Sequence, residues 1–186
     1  TRLFVKPDAP ALLRIALGKK GYRPTPIALG TNTDPYQPIE GQWRVTRQIL
    51  EVLAETRHAC TITTKSDRIL RDIDILGPMA ERSLVAVALS VTTLESHTHR
   101  LLEPRSPRPQ KRLDAIRALA DAGIPTHINV APVIPGVNDH EIEEILSQGA
   151  QAGARTASFI PIRLPHEVAQ LFRDWLETHY PDRSGK

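Results

Sequence analysis

The stretch VAVALSV, residues 85–91, is apolar almost throughout instead of alternating apolar with polar positions. That pattern predicts a β-strand buried on both faces, as in a parallel sheet. INVAPVI at 128–134 reads the same way, and further strand cores begin near Ile27 (PIALG), Thr61 (TITTK) and Thr156 (TASFIPI). The starts are spaced by roughly 30 residues, the length of a βα unit. Helical patterns fill the intervals. Residues 8–18 open with Asp8 and Pro10 and close at Gly18, and residues 40–57 put Val45, Ile49, Val52 and Leu53 on one face. Ser66 is placed to cap a helix carrying Ile69, Ile73 and Leu76. Residues 109–122 carry Leu113, Ile116, Leu119 and Ala120 and stop at Gly123, with Pro125 beyond. Asn138 and Glu141 have the spacing of a capping box, and Gly153 closes the helix that follows. Val168, Leu171, Phe172, Trp175 and Leu176 form an amphipathic stripe ended by Pro181, and residues 183–186 are expected as a frayed tail. Residues 97–109 (HTHRLLEPRSPRP) are predicted as one long irregular loop. The alternation is α/β. By itself it leaves open a doubly wound sheet and a barrel or partial barrel, and five units are too few for a complete eightfold barrel.

Composition narrows the function classes. The chain has 186 residues, 40% hydrophobic and 24% charged, an ordinary globular mixture with enough length for one core. Lys+Arg minus Asp+Glu is 24 − 21 = +3, and aromatics are 4%. Neither figure points to an extended nucleic-acid surface with stacking platforms, so nucleic acid is weakly supported as a partner. Cys60 is the sole cysteine, which excludes an internal disulfide and any site built from cysteines of this chain alone. Cys60 itself reads as a small core residue. No apolar run nears the roughly 18 residues needed to span a bilayer, and no signal-peptide pattern stands at the front. The expected compartment is the cytoplasm, with no membrane partner. The sequence begins at Thr1 and its one Met is Met79, so it is expected to be processed or part of something longer.

In a parallel βα fold, ligands bind at the carboxyl ends of the strands. Those ends read GTNTDPYQPIE at 30–40, Lys65-Ser66, Ser90 followed by Thr92 and Thr93, Pro135-Gly136 with Asn138 and Asp139, and Arg163 with His166 and Glu167. Asp34 and Asn138 suit either ligand contact or turns and caps. Lys65, a semi-buried ammonium, needs a ligand or carboxylate partner. His97 and His99 with Glu95 and Glu103 make weak metal spacing, better read as solvated surface. Arg105, Arg108, Lys111 and Arg112 read as a phosphate-contact patch or a solvated helix start. Trp43 and Trp175 fit helix packing.

Taken in order, GTNTDPYQPIE, TKS, SVTT, LEPR, AIRALADAGIP and APVIPGVND resemble the radical S-adenosylmethionine (radical SAM) superfamily, in its DNA repair photolyase-like branch with the spore photolyase relatives. The resemblance runs from about Leu3 to Tyr180, so residues 1–186 are expected to be a single radical SAM core domain, truncated at its N-terminus. It implies a partial (β/α)6 TIM-like barrel of parallel strands, of which this chain supplies strands two to six. It implies a [4Fe-4S] cluster and S-adenosylmethionine (SAM) in the complete protein, a 5′-deoxyadenosyl radical, and hydrogen abstraction from an unidentified substrate, DNA repair among the candidates. Carried over residue by residue, Thr31, Asn32 and Asp34 fall near the methionine amino group. Lys65, Ser66 and Ser90 fall at the methionine carboxylate and ribose, Glu103 and Arg105 in the loop after the family's fourth strand, and Val133 to Asn138 near the adenine. The family's Cys-x3-Cys-x2-Cys cluster loop belongs upstream of Leu3, and Cys60 is no substitute. The chain alone is therefore expected to be inactive and to hold no metal. Two other readings of the residues are a Schiff-base lyase using Lys65 and a non-catalytic α/β binding module.

Overall fold

The computed structural model describes residues 4–183. Five parallel strands form one sheet in sequential order: β1 (Ile27–Leu29), β2 (Cys60–Thr64), β3 (Val85–Ser90), β4 (Thr126–Val133) and β5 (Thr156–Pro161). The helices are α1 (Ala9–Leu17), α2 (Glu40–Trp43), α3 (Val45–Glu55), α4 (Ile73–Glu81), α5 (Ser96–Leu102), α6 (Pro109–Asp121), α7 (Ile142–Gln151) and α8 (Glu167–His179). This is an α/β fold of the partial TIM-like barrel type. No described helix is long and apolar enough to cross a membrane.

The core lies between the sheet and its helices. Ile62 from β2, Val87 and Leu89 from β3, and Ile128 and Val130 from β4 meet Leu50 and Leu53 of α3, Leu76 of α4, Leu113, Ile116 and Leu119 of α6, and Ile145 of α7. The expectation that β3 is buried on both faces needs correction. Val85, Val87 and Leu89 are buried, while Ala86 and Ala88 between them are half-buried. Alanine counts as apolar in a sequence pattern, yet here it lines the open concave side beside Thr61 and Thr63, its register partners on β2.

Several local expectations also change. The helix expected over 40–57 is broken at Arg44, which sits in the left-handed region at φ 48°. Glu40 accepts the Thr46 N–H across the break at 3.0 Å, and the Thr46 hydroxyl donates to the Pro35 carbonyl. Trp43, expected to pack, is 43% exposed at that corner. Residues 97–109 are not one loop, because α5 occupies Ser96–Leu102 and only 103–108 remain irregular. The start of α5 is held by Glu141, whose carboxylate accepts the Thr93 hydroxyl and the Leu94 and Glu95 N–H groups. That use of Glu141 excludes the capping box expected with Asn138. The α8 stripe forms as a helix, yet α8 buries none of its residues and Leu171 is 66% exposed. β5 is exposed along its whole length, with Phe159 61% exposed. Of the expected tail, Ser184 onward lies outside the described residues.

Two glycines test the backbone. Gly30 turns the chain out of β1 at φ +92°, and a Cβ there would stand 2.0 Å from the Thr63 carbonyl oxygen. Gly77 lies inside α4, where an added Cβ would meet nothing within 4 Å. Urea denaturation of Gly30→Ala is expected to show a loss of about 2–4 kcal/mol. Gly77→Ala is expected to gain about 0.5–1 kcal/mol from helix propensity alone.

Candidate functional site

A cavity of about 650 Å³ opens at the carboxyl ends of β1 and β2, against the loop that follows α5. Asp34, Lys65, Ser66, Glu103 and Arg105 line it together with Tyr36 and Arg68. Each arrives for a local reason. Gly30 releases the chain into the turn that carries Asp34. The Asp34 carboxylate then clamps that turn onto β2: it accepts the Tyr36 N–H at 2.8 Å, the Thr64 hydroxyl at 2.7 Å and the Lys65 N–H at 2.8 Å. Ser66, in extended conformation, caps the 3-10 turn that follows by accepting the Arg68 N–H at 3.3 Å. Lys65 stands between these two anchors and projects across the cavity to Glu103.

Glu103 is the electrostatic hinge of the site. Its Oε1 contacts Lys65 Nζ and lies 2.9 Å from the Thr92 hydroxyl, and its Oε2 accepts from Arg112 Nη2 at 2.6 Å. Arg112 is fully buried and uses all three of its nitrogens. Nε donates to the Pro107 carbonyl at 2.9 Å and Nη1 to the Ser90 carbonyl at 2.9 Å, while Nη2 also reaches the Ser106 hydroxyl at 2.5 Å. Burial alone would raise the Glu103 carboxyl, but Arg112 and Lys65 together outweigh it and hold Glu103 below its ordinary value.

The sequence-predicted residues divide into three groups. Asp34, Lys65, Ser66, Glu103 and Arg105 share the cavity. Thr31 and Asn32 are exposed and do not line it. Ser90, Val133 and Asn138 are buried in the interior. Asn138 is fully consumed there: its Oδ1 accepts the Ile134 N–H, and its Nδ2 donates to the carbonyls of Thr92 and Pro132. The structure thus uses Asn138 to knot the ends of β3 and β4. His97 and His99 do not share a face. His99 is buried with Nε2 against Ser106 and Pro107, and burial, reinforced by Arg112, lowers its pKa. Arg112 leaves the surface patch expected of it, whereas Arg105 and Arg108 stay exposed.

Sequence reasoning missed the buried role of Arg112, although a signal was present. It stands four residues before Ile116 and seven before Leu119, on the apolar face of α6, where a charge needs a buried partner. It also missed the polar row on the concave face. Asn129 Nδ2 donates to Ser90 Oγ at 3.4 Å, Ser158 Oγ donates to Asn129 Oδ1 at 3.1 Å, and His127 contacts Ser158 at 2.7 Å and Thr156 at 2.8 Å. Most of these residues lie scattered through β4, whose core reads as apolar, and through β5, where Thr156 and Ser158 alternate with apolar neighbours.

The Glu103 ion pairs fix a pH dependence. A carboxyl whose folded pKa is depressed stabilises the fold above its unfolded value and loses that contribution as pH falls through the folded one. The destabilisation by Glu103→Gln is therefore expected to be full at pH 7 and to shrink below the ordinary carboxylate value of 4.5. Denaturant unfolding of both proteins at pH 7 and at about pH 3.5 measures it. At pH 7 Arg112→Met, which leaves the nearly buried carboxylate with Lys65 as its remaining cation, is expected to cost about 3 kcal/mol, the low end for breaking a buried pair.

Comparison with known proteins supplies the family. Residues 8–148 match the radical SAM superfamily. An uncharacterized protein of Mycobacterium tuberculosis is 34% identical over 184 residues, 98% of this chain and 54% of that protein. An uncharacterized protein of Methanocaldococcus jannaschii is 31% identical over 157 residues, 84% of this chain and 57% of that protein. The chain therefore spans about half the length of these relatives. Among solved structures, spore photoproduct lyase with bound AdoMet and dinucleoside spore photoproduct superposes with TM-score 0.67 at 18% identity, covering 94% of this chain and 50% of that one. Streptococcus suis SuiB superposes with TM-score 0.52 at 17% identity, covering 75% and 35%. These two likenesses concern the fold. The sequence match over most of the chain, on a five-stranded parallel sheet with its polar cavity at the carboxyl edge, places the chain in the radical SAM superfamily.

Proposed function

We propose that residues 1–186 are the SAM-binding core domain of a radical SAM enzyme and that the cavity at the carboxyl edge receives the methionine end of SAM. The observation that supports this most is the convergence of Asp34, Lys65, Ser66, Glu103 and Arg105 from separate βα units on one cavity. The donor set suits the ligand. Lys65 Nζ is a cation for the methionine carboxylate. Asp34 has three of its roughly four acceptor directions filled, which leaves one for the ammonium. The Ser66 hydroxyl accepts from Arg68 and keeps its own proton to offer a ribose oxygen. Thr31 and Asn32 lie on the turn leading to Asp34, at its solvent side. Val133 and Asn138 act from behind as the frame of the strand ends, and Ser90 stands buried at the head of the polar row with Asn129.

Bound to a [4Fe-4S] cluster, SAM supplies the family's radical chemistry. The residues of this chain do not suit the cluster itself. Cys60 is one buried thiol at the amino end of β2, away from the cavity, and burial pushes it up to about 11, against thiolate formation. In this reading the cluster's thiolates come from outside residues 1–186. What this chain's residues do is bind and orient: Lys65 and Asp34 fix the zwitterionic end of the ligand, and Glu103 fixes Lys65. The direct ion pair of Lys65 with Glu103 favours this role over an amine nucleophile, which an apolar pocket would serve better.

Lys65→Ala in the complete protein is expected to weaken SAM binding by about 1.5–3 kcal/mol, the worth of a hydrogen bond to a charged group. Isothermal titration calorimetry reads it. Unchanged affinity would remove Lys65 from the ligand and the cavity from this role.

A further inference from the structure

Lys65 cannot serve two carboxylates at full strength. In the structure it already has one, on Glu103. A ligand carboxylate that recruits Lys65 must therefore draw it away from Glu103 or share it. Drawing it away would normally leave a nearly buried carboxylate without a counter-charge, which is costly. Here it does not, because Glu103 has a second cation on its other oxygen. The Glu103 side chain is 10% exposed and Arg112 is 1% exposed, whereas Lys65 is 33% exposed. Arg112 is fastened by the carbonyls of Ser90 and Pro107 and by the Ser106 hydroxyl, so it is fixed where it stands. The two cations approach opposite oxygens, Lys65 at Oε1 and Arg112 at Oε2, and the Thr92 hydroxyl lies 2.9 Å from Oε1. Lys65 alone of these partners lines the cavity.

We propose that Arg112 is a positioning residue: it keeps Glu103 neutralised, so that Lys65 is free to pass from Glu103 to the carboxylate of the incoming ligand. This rests on the reading of the cavity as the SAM site. The arrangement divides labour between a fixed cation and a movable one. With Arg112 gone, Glu103 would hold Lys65 as its only counter-charge and compete with the ligand for it. With both Arg112 and Glu103 neutral, nothing would compete, and Lys65 would be available again.

The test compares SAM with decarboxylated SAM, which lacks the carboxylate, by calorimetric titration of the complete protein. The quantity read is the preference for SAM over the decarboxylated probe. Arg112→Leu is expected to reduce that preference by about tenfold or more, the scale of one charged hydrogen bond, with little change in affinity for the decarboxylated probe. Arg112→Leu/Glu103→Gln is expected to restore it, and Glu103→Gln alone to raise it above the parent's. A merely structural role would weaken both probes together and would not be rescued by the second substitution; that result overturns the proposal. Should Arg112→Leu not fold, Glu103→Gln still decides, because a lowered preference in that variant overturns the proposal. Lys65→Ala separates the two levels. If it leaves the preference intact, the reading of the cavity fails. If it abolishes the preference while the Arg112 and Glu103 variants behave like the parent, only the role given to Arg112 fails.

Discussion

One carboxylate, that of Glu103, ties together four segments at the carboxyl edge of the sheet. Lys65 brings the end of β2 to it, Thr92 the exit from β3, Ser106 and Pro107 (through Arg112) the loop before α6, and Arg112 itself the first turns of α6. Parallel strands all leave by the same edge, so that edge concentrates turns, polar side chains and unpaired backbone groups. Something must hold it in one arrangement. A buried charge does so through its penalty: any displacement that separates Glu103 from its cations exposes the full cost of an unpaired ion in a low-dielectric place.

A second polar cluster braces the other side of the cavity by the same logic. Asp72 is fully buried and receives Arg47 Nη1 at 3.0 Å, Arg71 Nε at 2.9 Å and the Tyr36 hydroxyl at 3.1 Å. Arg71 goes on to the Glu40 carbonyl at 2.9 Å. These contacts lock α2 and α3 to the turn before α4, and they set Tyr36 as a wall of the cavity. Desolvation together with the adjacent Asp72 charge raises the Tyr36 hydroxyl well above its ordinary range, so it stays a neutral donor. The site therefore sits between two buried carboxylates, each with two arginine or lysine partners, and the cavity-facing member of all these cations is Lys65.

Much of this was legible in the sequence, and the failures have physical reasons. The five strands, their parallel order and the helices at 8–18 and 109–122 follow from apolar runs and from stop signals such as Gly123, whose φ is +76°. The cavity residues Asp34, Lys65 and Ser66 were readable because strand ends in a parallel sheet share an edge. What failed depends on through-space pairing. Asn138 and Glu141 have cap spacing, but their side chains serve the exits of β3 and β4 and the start of α5, and the contacts to β3 and α5 span more than 40 residues. Arg112 looks like part of a basic run until the buried face of α6 is known. Ala86 and Ala88 count as core by hydropathy and stand on the concave side, where small size matters more than transfer energy.

The open flank of the sheet has a consequence for how the molecule comes apart. β2, β3 and β4 each have two neighbours and a helix layer behind them, whereas among the described residues β5 pairs with β4 alone, and none of β5, α1 or α8 buries a residue. Opening free energy is therefore graded from the flanks inward. The amides of β5 and α8 are expected to exchange with solvent through small local openings, and those of β3 through unfolding of the sheet as a whole. Lys65, Glu103 and Arg112 all attach to the central strands, so the groups at the cavity are expected to hold their geometry through local openings of the flank.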